Sequence, residues 1–161
     1  MAKKICLYGI LSAFCITLGF VEHLISFDFI APGVKIGLAN SVALLLICWE
    51  DFKGAFAVNI TRILISVFLF SAPSTLIFSI LGGIFAFVVM VISKKAKILS
   101  EIGISVLGAV AHNVAQIVCA LLILGNGVLY YSPFLMLSAL ISGILTGFLA
   151  KLCLKYKSKL F

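Results

Sequence analysis

The chain has little charge, and most of its charge is of one sign. Of its 161 residues five are acidic and twelve are basic, and charged residues make up 11% of the total. Hydrophobic residues make up 64%, and the mean hydropathy is +1.34. A water-soluble domain of this length cannot bury so much apolar surface. The composition therefore excludes a soluble globular protein and predicts an integral membrane protein.

Motifs for catalysis and metal binding are also missing. There is no G-x-x-x-x-G-K-[ST] motif, so an ATP-driven function would need other chains. The five cysteines form no C-x-x-C pair and have no histidine at ligand spacing, so they are expected to be small apolar residues of helix interiors. We therefore expect no catalytic group, no metal site and no intrinsic cofactor in this chain.

Six apolar segments follow one another along the sequence. Each is roughly twenty residues long without strict alternation, which favours membrane-spanning helices over barrel strands. The connections are short, about ten residues at most, which predicts one all-α domain over residues 1–161, a compact bundle of six transmembrane helices. The predicted helices cover residues 4–27, 34–49, 54–70, 75–93, 104–124 and 131–152.

The basic residues predict how this bundle is oriented. If six helices cross the membrane, ten of the twelve basic residues lie on one side together with both termini. Lysine near helix ends marks the cytoplasmic side. We therefore expect cytoplasmic termini and an outer face that carries residues 32–35. Topology then accounts for the net charge of +7, and no nucleic-acid partner is needed.

Residues 32–40, with the sequence P-G-V-K-I-G-L-A-N, open the second predicted helix. Proline lacks an N–H that the first turn of a helix leaves unpaired anyway, so a helix start is expected here. The free N–H groups of that turn, with Lys35 beside them, form a positive end that suits an anion. The alternative is a capped helix start with a lysine that snorkels to the membrane surface.

Polar residues inside two other predicted helices are the next signal. Arg62 lies near the middle of the third helix, three residues after Asn59, and the five acids fall near helix ends or in loops. A central arginine without a carboxylate at its depth favours an anionic ligand, because charge inside a membrane is costly. In the fifth helix one polar arc contains His112, Asn113 and Gln116. The opposite face is predicted to meet lipid and contains Val110, Val114, Ile117 and Leu121.

Together these positions predict a ligand site that opens at the outer face. Cations above amides suit a ligand with an anionic or carbonyl-rich head, and arginine offers a planar fork for phosphate or carboxylate oxygens. The alternative is structural, with the amides bonding helices to one another. The predicted ligand-binding residues are Lys35, Asn40, Asn59, Arg62, His112, Asn113 and Gln116.

Small residues form stripes on two helices. On the first helix, Gly9, Ala13 and Thr17 recur at every fourth position. Such stripes allow close helix packing and are more often internal contacts than surfaces for a partner. The stripe of the sixth helix consists of Ala139, Gly143, Gly147 and Ala150.

Two motifs, residues 32–40 and the G-A-V-A-H-N-V-A-Q of residues 108–116, resemble the bacterial heptaprenyl diphosphate synthase component I family, also called the Gx transporter family. That family is grouped with the substrate-binding S-components of energy-coupling-factor (ECF) transporters. The resemblance implies a bacterial inner-membrane protein with six helices, cytoplasmic termini and a ligand site toward the outer face. It also implies that Gly9, Ala13 and Thr17 dock an energising module, a transmembrane coupling protein with its ATPases.

The resemblance leaves three functions open. The leading one is an S-component-like transporter subunit for a small or amphipathic ligand, such as an isoprenoid phosphate, a quinone precursor or a flavin-like compound. The second is a non-catalytic membrane subunit of heptaprenyl diphosphate or menaquinone synthesis, beside a soluble prenyltransferase. The third is a membrane component of a quinone or flavin electron-transfer chain. Prenyl elongation needs aspartate clusters that hold Mg²⁺, and the sequence offers only Glu50 and Asp51, so a bound lipid, isoprenoid or quinone is expected rather than catalysis.

Overall fold

The computed structural model describes residues 2–24, 37–70 and 75–155, and these are almost entirely helical. All the α-helices except α2 are long and apolar enough to cross a membrane. The chain is thus an all-α membrane protein with five candidate membrane-spanning helices. The helices are α1 (Ala2–Leu24), α2 (Asn40–Cys48), α3 (Phe52–Phe70), α4 (Leu76–Ala96), α5 (Glu101–Leu124) and α6 (Ser132–Lys155), with a 3₁₀ helix at Asn126–Tyr130.

Helices α3 to α6 begin and end within three residues of the predicted positions. Local chemistry sets the limits of α5. The side chain of Ser100 caps its start by accepting the N–H of Gly103 at 3.3 Å. Gly125, with φ of +79°, follows its last residue in a backbone conformation that suits glycine.

The prediction for the second helix is wrong over its described start. Gly37 has φ of +77°, and residues 37–39 form a turn, so the helix begins only at Asn40. The carboxylate of Glu22 in α1 accepts the N–H of Leu38 and fixes this turn. At nine residues α2 is about 14 Å long, less than half of a hydrocarbon core of about 30 Å. Residues 25–36, including Lys35 and most of the P-G-V-K-I-G-L-A-N motif, lie outside the described residues.

Helix α2 is the most enclosed element of the bundle. It packs against all five other α-helices. Its side chains Leu44, Leu46 and Ile47 are at most 1% exposed, and they pack with Val58 of α3 and Ile104 of α5. The apolar core of the bundle is therefore built around this short helix.

The small-residue stripe of α6 packs against α5, so the interpretation as an internal contact is confirmed for this helix. A Cβ added at Gly143 would lie 2.6 Å from the Cα of Val106, and one added at Gly147 would lie 2.7 Å from the Cα of Ile102. The hydroxyl groups of Ser105 and Thr146 are 2.8 Å apart across the same contact. Glycine thus lets the two backbones approach closely.

One predicted lipid-facing residue of α5 is buried instead. Ile117 is 8% exposed and packs with Val128 of the 3₁₀ helix and Leu135 of α6. Residues 125–130 lie between the fifth and sixth predicted helices, and no structure was predicted for them. The 3₁₀ turn instead folds back over this part of α5, whereas Val114 on the same side of the helix is exposed.

Basic residues gather at one end of the described bundle. The hydroxyl of Tyr8 near the start of α1 donates to Asp51 at 2.5 Å, and Lys95 near the end of α4 lies 5.5 Å from the ring centroid of Phe52. These contacts bring the start of α1, the α2–α3 connection and the end of α4 together. We call this the lysine end, which in the described residues holds Lys3, Lys4, Lys53, Lys94, Lys95, Lys97, Lys151 and Lys155.

Candidate functional site

A polar cavity lies in the half of the bundle away from the lysine end. Its volume is about 100 Å³, which is room for several water molecules or a small polar group. All six α-helices and the turn at Gly37 contribute to its wall, which includes the apolar side chains of Ile63 and Val67. Its polar lining consists of Glu22, Asn40, Arg62, Ser66, Ser79, His112, Asn113, Gln116 and Ser142.

Arg62 is the central cation of this cavity. Its Nη2 donates to Oδ1 of Asn40 at 2.9 Å and to Oδ1 of Asn59 at 3.1 Å. Asn59 in turn donates through Nδ2 to the carbonyl of Gly83 in α4 at 3.2 Å. The Nε of Arg62 is buried and has no hydrogen-bond partner among the described residues. Two amides therefore hold one corner of the guanidinium, while its buried Nε is left without a hydrogen-bond partner among the described residues.

The polar arc of α5 lies across the cavity from α3. Asn113 is fixed by a 2.6 Å hydrogen bond from its Nδ2 to the carbonyl of Leu135 in α6. The ring of His112 lies against α4 where Gly82 has no side chain, since a Cβ there would be 2.8 Å from Cε1 of the ring. Gln116 lines the cavity, and its amide makes no hydrogen bond with another described residue.

The structure brings together five of the seven predicted ligand-binding residues. Asn40, Arg62, His112, Asn113 and Gln116 all line the one cavity. Asn59 is buried behind the guanidinium and orients it without lining the cavity. Lys35, the remaining predicted position, lies outside the described residues.

The prediction that no carboxylate lies near Arg62 is wrong. Glu22, in the last turn of α1, lines the same cavity and interacts electrostatically with the guanidinium. Sequence position alone hid this contact, because the register of α1 against α3 is set by tertiary packing. The carboxylate also binds the N–H of Leu38, so it links α1 to the turn that precedes α2.

Three serines of the cavity were also missed by sequence analysis. Ser66, Ser79 and Ser142 come from three different helices, α3, α4 and α6. For Ser66 a signal was available, because it follows Arg62 by four residues and so shares its helix face. Serine is common in membrane helices, where it often bonds to its own backbone, so the other two carried no distinguishing signal.

The small-residue stripe of α1 is exposed, unlike that of α6. Gly9, Ala13 and Thr17 all lie on the outer surface of the described structure. A Cβ added at Gly9 would meet no atom within 4 Å, and the hydroxyl of Thr17 donates to the carbonyl of Ala13 at 3.0 Å. Within the described residues nothing packs on this stripe of α1, contrary to the packing interpretation.

Comparison with known proteins places the chain in a family. No curated protein and no solved structure shows significant similarity to it. A family model described as heptaprenyl diphosphate synthase component I matches residues 11–153, a stretch that includes all the described residues lining the cavity. Because this match covers most of the sequence, the chain belongs to the heptaprenyl diphosphate synthase component I family.

Proposed function

We propose that the protein is a membrane-embedded ligand-binding subunit, similar to an ECF S-component, that binds a small or amphipathic molecule in the Arg62 cavity. The observation that carries this proposal is a polar cavity with a partly unpaired arginine inside an otherwise apolar bundle. A buried cation and uncompensated amides are costly in a membrane unless water or a ligand satisfies them. Convergent polar groups in a concave site are typical of ligand binding.

The same proposal includes the orientation of the bundle in a bacterial inner membrane. The lysine end faces the cytoplasm together with both termini, the chain crosses the membrane six times although α2 alone is too short to do so, and the cavity lies toward the outside. Single cysteines at positions 95, 157 and 30, in a chain whose native cysteines are replaced by alanine, test this orientation. Positions 95 and 157 should react with an impermeant maleimide only from the cytoplasm and position 30 only from outside. Labelling of 30 and 157 from one side would contradict it.

The ligand site is tested at Arg62. Native mass spectrometry of the purified wild-type protein should show a co-purified molecule that Arg62→Ala loses. Arg62→Lys should restore little of it, because an ammonium group lacks the planar fork of the guanidinium. His112→Ala should weaken retention less, since a neutral ring donates only one hydrogen bond. The control is Thr61→Ala, an exposed position beside Arg62.

A purely structural Arg62 predicts a different pattern. Arg62→Ala would then lower the melting temperature, while the folded protein that remains would retain the molecule as the wild type does. Measuring the melting temperature and retention on the same samples separates the two roles. The structural outcome would exclude the proposed site.

A second candidate function follows from the family match. The description of the family points to a membrane component of heptaprenyl diphosphate synthesis, which would hold an isoprenoid, a quinone or a lipid beside a soluble prenyltransferase. Stoichiometric co-purification with such an enzyme, and a rise in its turnover on adding this chain, would favour this function over transport. Co-purification with a coupling protein and ATPases would favour the transporter subunit.

A further inference from the structure

We propose that the cavity takes an uncharged ligand which both donates and accepts hydrogen bonds, and that Glu22 disfavours anions there. This inference rests on the proposed function, because it names the class of ligand for the same site. It decides between the two kinds of head group that Arg62 alone allows, an anionic one and a carbonyl-rich one.

The charged groups in the described lining favour a neutral ligand. Arg62 and Glu22 are opposite in sign, line one cavity and interact electrostatically. The carboxylate therefore already offsets the cation, and an added anion would be repelled by Glu22 as it approached Arg62. In a site with little water such a repulsion is weakly screened. A neutral guest meets no such repulsion.

The hydroxyl and amide groups of the lining favour a ligand that both donates and accepts hydrogen bonds. The hydroxyls of Ser66, Ser79 and Ser142 make no hydrogen bond with other described residues, and the same holds for the amide of Gln116. Hydroxyl and amide groups can both donate and accept. Asn113 spends one Nδ2 hydrogen on Leu135, and its Oδ1 can only accept. A fully ionised phosphate has acceptors alone, so it cannot satisfy the acceptors of this lining.

The apolar side chains in the wall favour a ligand that also has apolar faces. Ile63, Val67, Ala109 and Ala139 lie among the polar groups, so the guest has apolar faces as well as a polar edge. A small ring with adjacent carbonyl and N–H groups, as in a cyclic imide, has this character. Its carbonyls can accept from Arg62 and the serines, while its N–H groups donate to Glu22 or Asn113.

Uracil and orotate form a matched pair of probes for this class. They share one imide ring and differ by a single carboxylate, which is ionised at neutral pH. Isothermal titration calorimetry with the intact protein in detergent should show that uracil binds at least about tenfold more tightly than orotate. In Glu22→Gln this preference should fall by about tenfold or more, because the repelling charge is gone.

The variant is chosen to keep the fold. A glutamine at position 22 still offers an oxygen to the N–H of Leu38, and the melting temperature should stay close to that of the wild type. The control is Glu101→Gln, the same substitution at the other end of the bundle, which should leave the uracil-to-orotate ratio unchanged.

Each outcome decides the inference. Equal or tighter binding of orotate to the wild type overturns it while leaving a ligand site at Arg62 in place. An unchanged ratio in Glu22→Gln overturns the role of Glu22. If neither probe binds, the ligand class is wrong, and the retention experiment on Arg62→Ala then shows separately if the proposed ligand site fails too.

Discussion

Helices α1 and α6 carry the same sequence pattern and use it in opposite ways. Both have a stripe of small residues at four-residue spacing, and their most apolar windows have the same mean hydropathy of 1.9. In α6, 39% of that window is buried, against 11% in α1. The stripe of α6 faces α5, whereas the stripe of α1 faces away from the bundle. A small-residue stripe therefore indicates that close approach is possible, but it does not identify what approaches.

The two helices are also attached to the bundle differently. Helix α6 is held along its length by backbone approach to α5. Among the described elements, helix α1 packs only on α2 and α3, and polar contacts near its two ends add to this packing. Tyr8 bonds to Asp51 at one end and Glu22 to Leu38 at the other. The difference predicts that equal substitutions in the two helices have unequal consequences.

The largest effect is expected from leucine in the stripe of α6. Gly143→Leu forces a side chain into the backbone of Val106, which cannot move aside, and should lower stability by about 3 kcal/mol or prevent folding. Gly9→Leu, into open space on α1, should leave the melting temperature of the detergent-purified protein nearly unchanged. Equal losses of stability in the two variants would show that the stripe of α1 is packed as tightly as the stripe of α6.

A smaller effect is expected from Thr146, next to Gly147 of the α6 stripe, and from Thr17 of the α1 stripe. Thr146→Val removes the 2.8 Å hydrogen bond to Ser105 and leaves a buried hydroxyl unpaired, which should cost about 1 kcal/mol. Thr17→Val removes only a bond to the backbone of its own helix and should cost close to nothing. The melting temperatures of the two variants measure the contrast. A larger fall in melting temperature for Thr17→Val than for Thr146→Val would show that the Thr17 face of α1 is the more tightly packed one.

The attachment of α1 should depend weakly on acidity. The pKa of Asp51 lies below its ordinary value of 3.8, chiefly because its carboxylate accepts a hydrogen bond from Tyr8. The backbone N–H of Gly54 and the charge of Lys4 lower this pKa further. A lowered pKa in the folded state stabilises the fold above pH 3.8, and this contribution is lost as the pH falls through the lower value. Melting temperatures from pH 6 downward should therefore fall less in Tyr8→Phe than in the wild type. Parallel curves would show that the contact contributes nothing.

The smallest effect on stability, with a large one on assembly, is expected at Ala13. Ala13→Leu enlarges an exposed side chain and should not change the melting temperature. Under the proposed transporter function it should abolish co-purification with the ATPase partners, because the small surface that they approach is filled. Ala57→Leu, at an exposed alanine of α3, is the matched control. Ala57→Leu should keep the partners, and retention of the partners by Ala13→Leu would assign docking elsewhere.

Sequence reasoning found what depends on local chemistry. Helices α3 to α6 were predictable because their apolar runs end at strong signals, such as the lysines of residues 94–97 and the glycines of residues 125–127. Arg62 and His112 stood out because polar groups inside an apolar helix carry a high cost. The left-handed turn at Gly37 was missed because a proline and a lysine nearby favour a helix start. Glu22, Ser79 and Ser142 were missed because only the packing of α1, α4 and α6 against α3 brings them to Arg62.

The contact between Gly82 and His112 has a consequence for mutational scans of this protein. Gly82 carries no polar group and does not line the cavity, yet the imidazole lies where its side chain would be. Even alanine there has to push the ring across the cavity or push α4 away from α5. Under the proposed function, position 82 should therefore score as intolerant in a selection for ligand retention, although Gly82 does not line the cavity. A search for binding residues based on sensitivity alone would assign to α4 a specificity that belongs to α5.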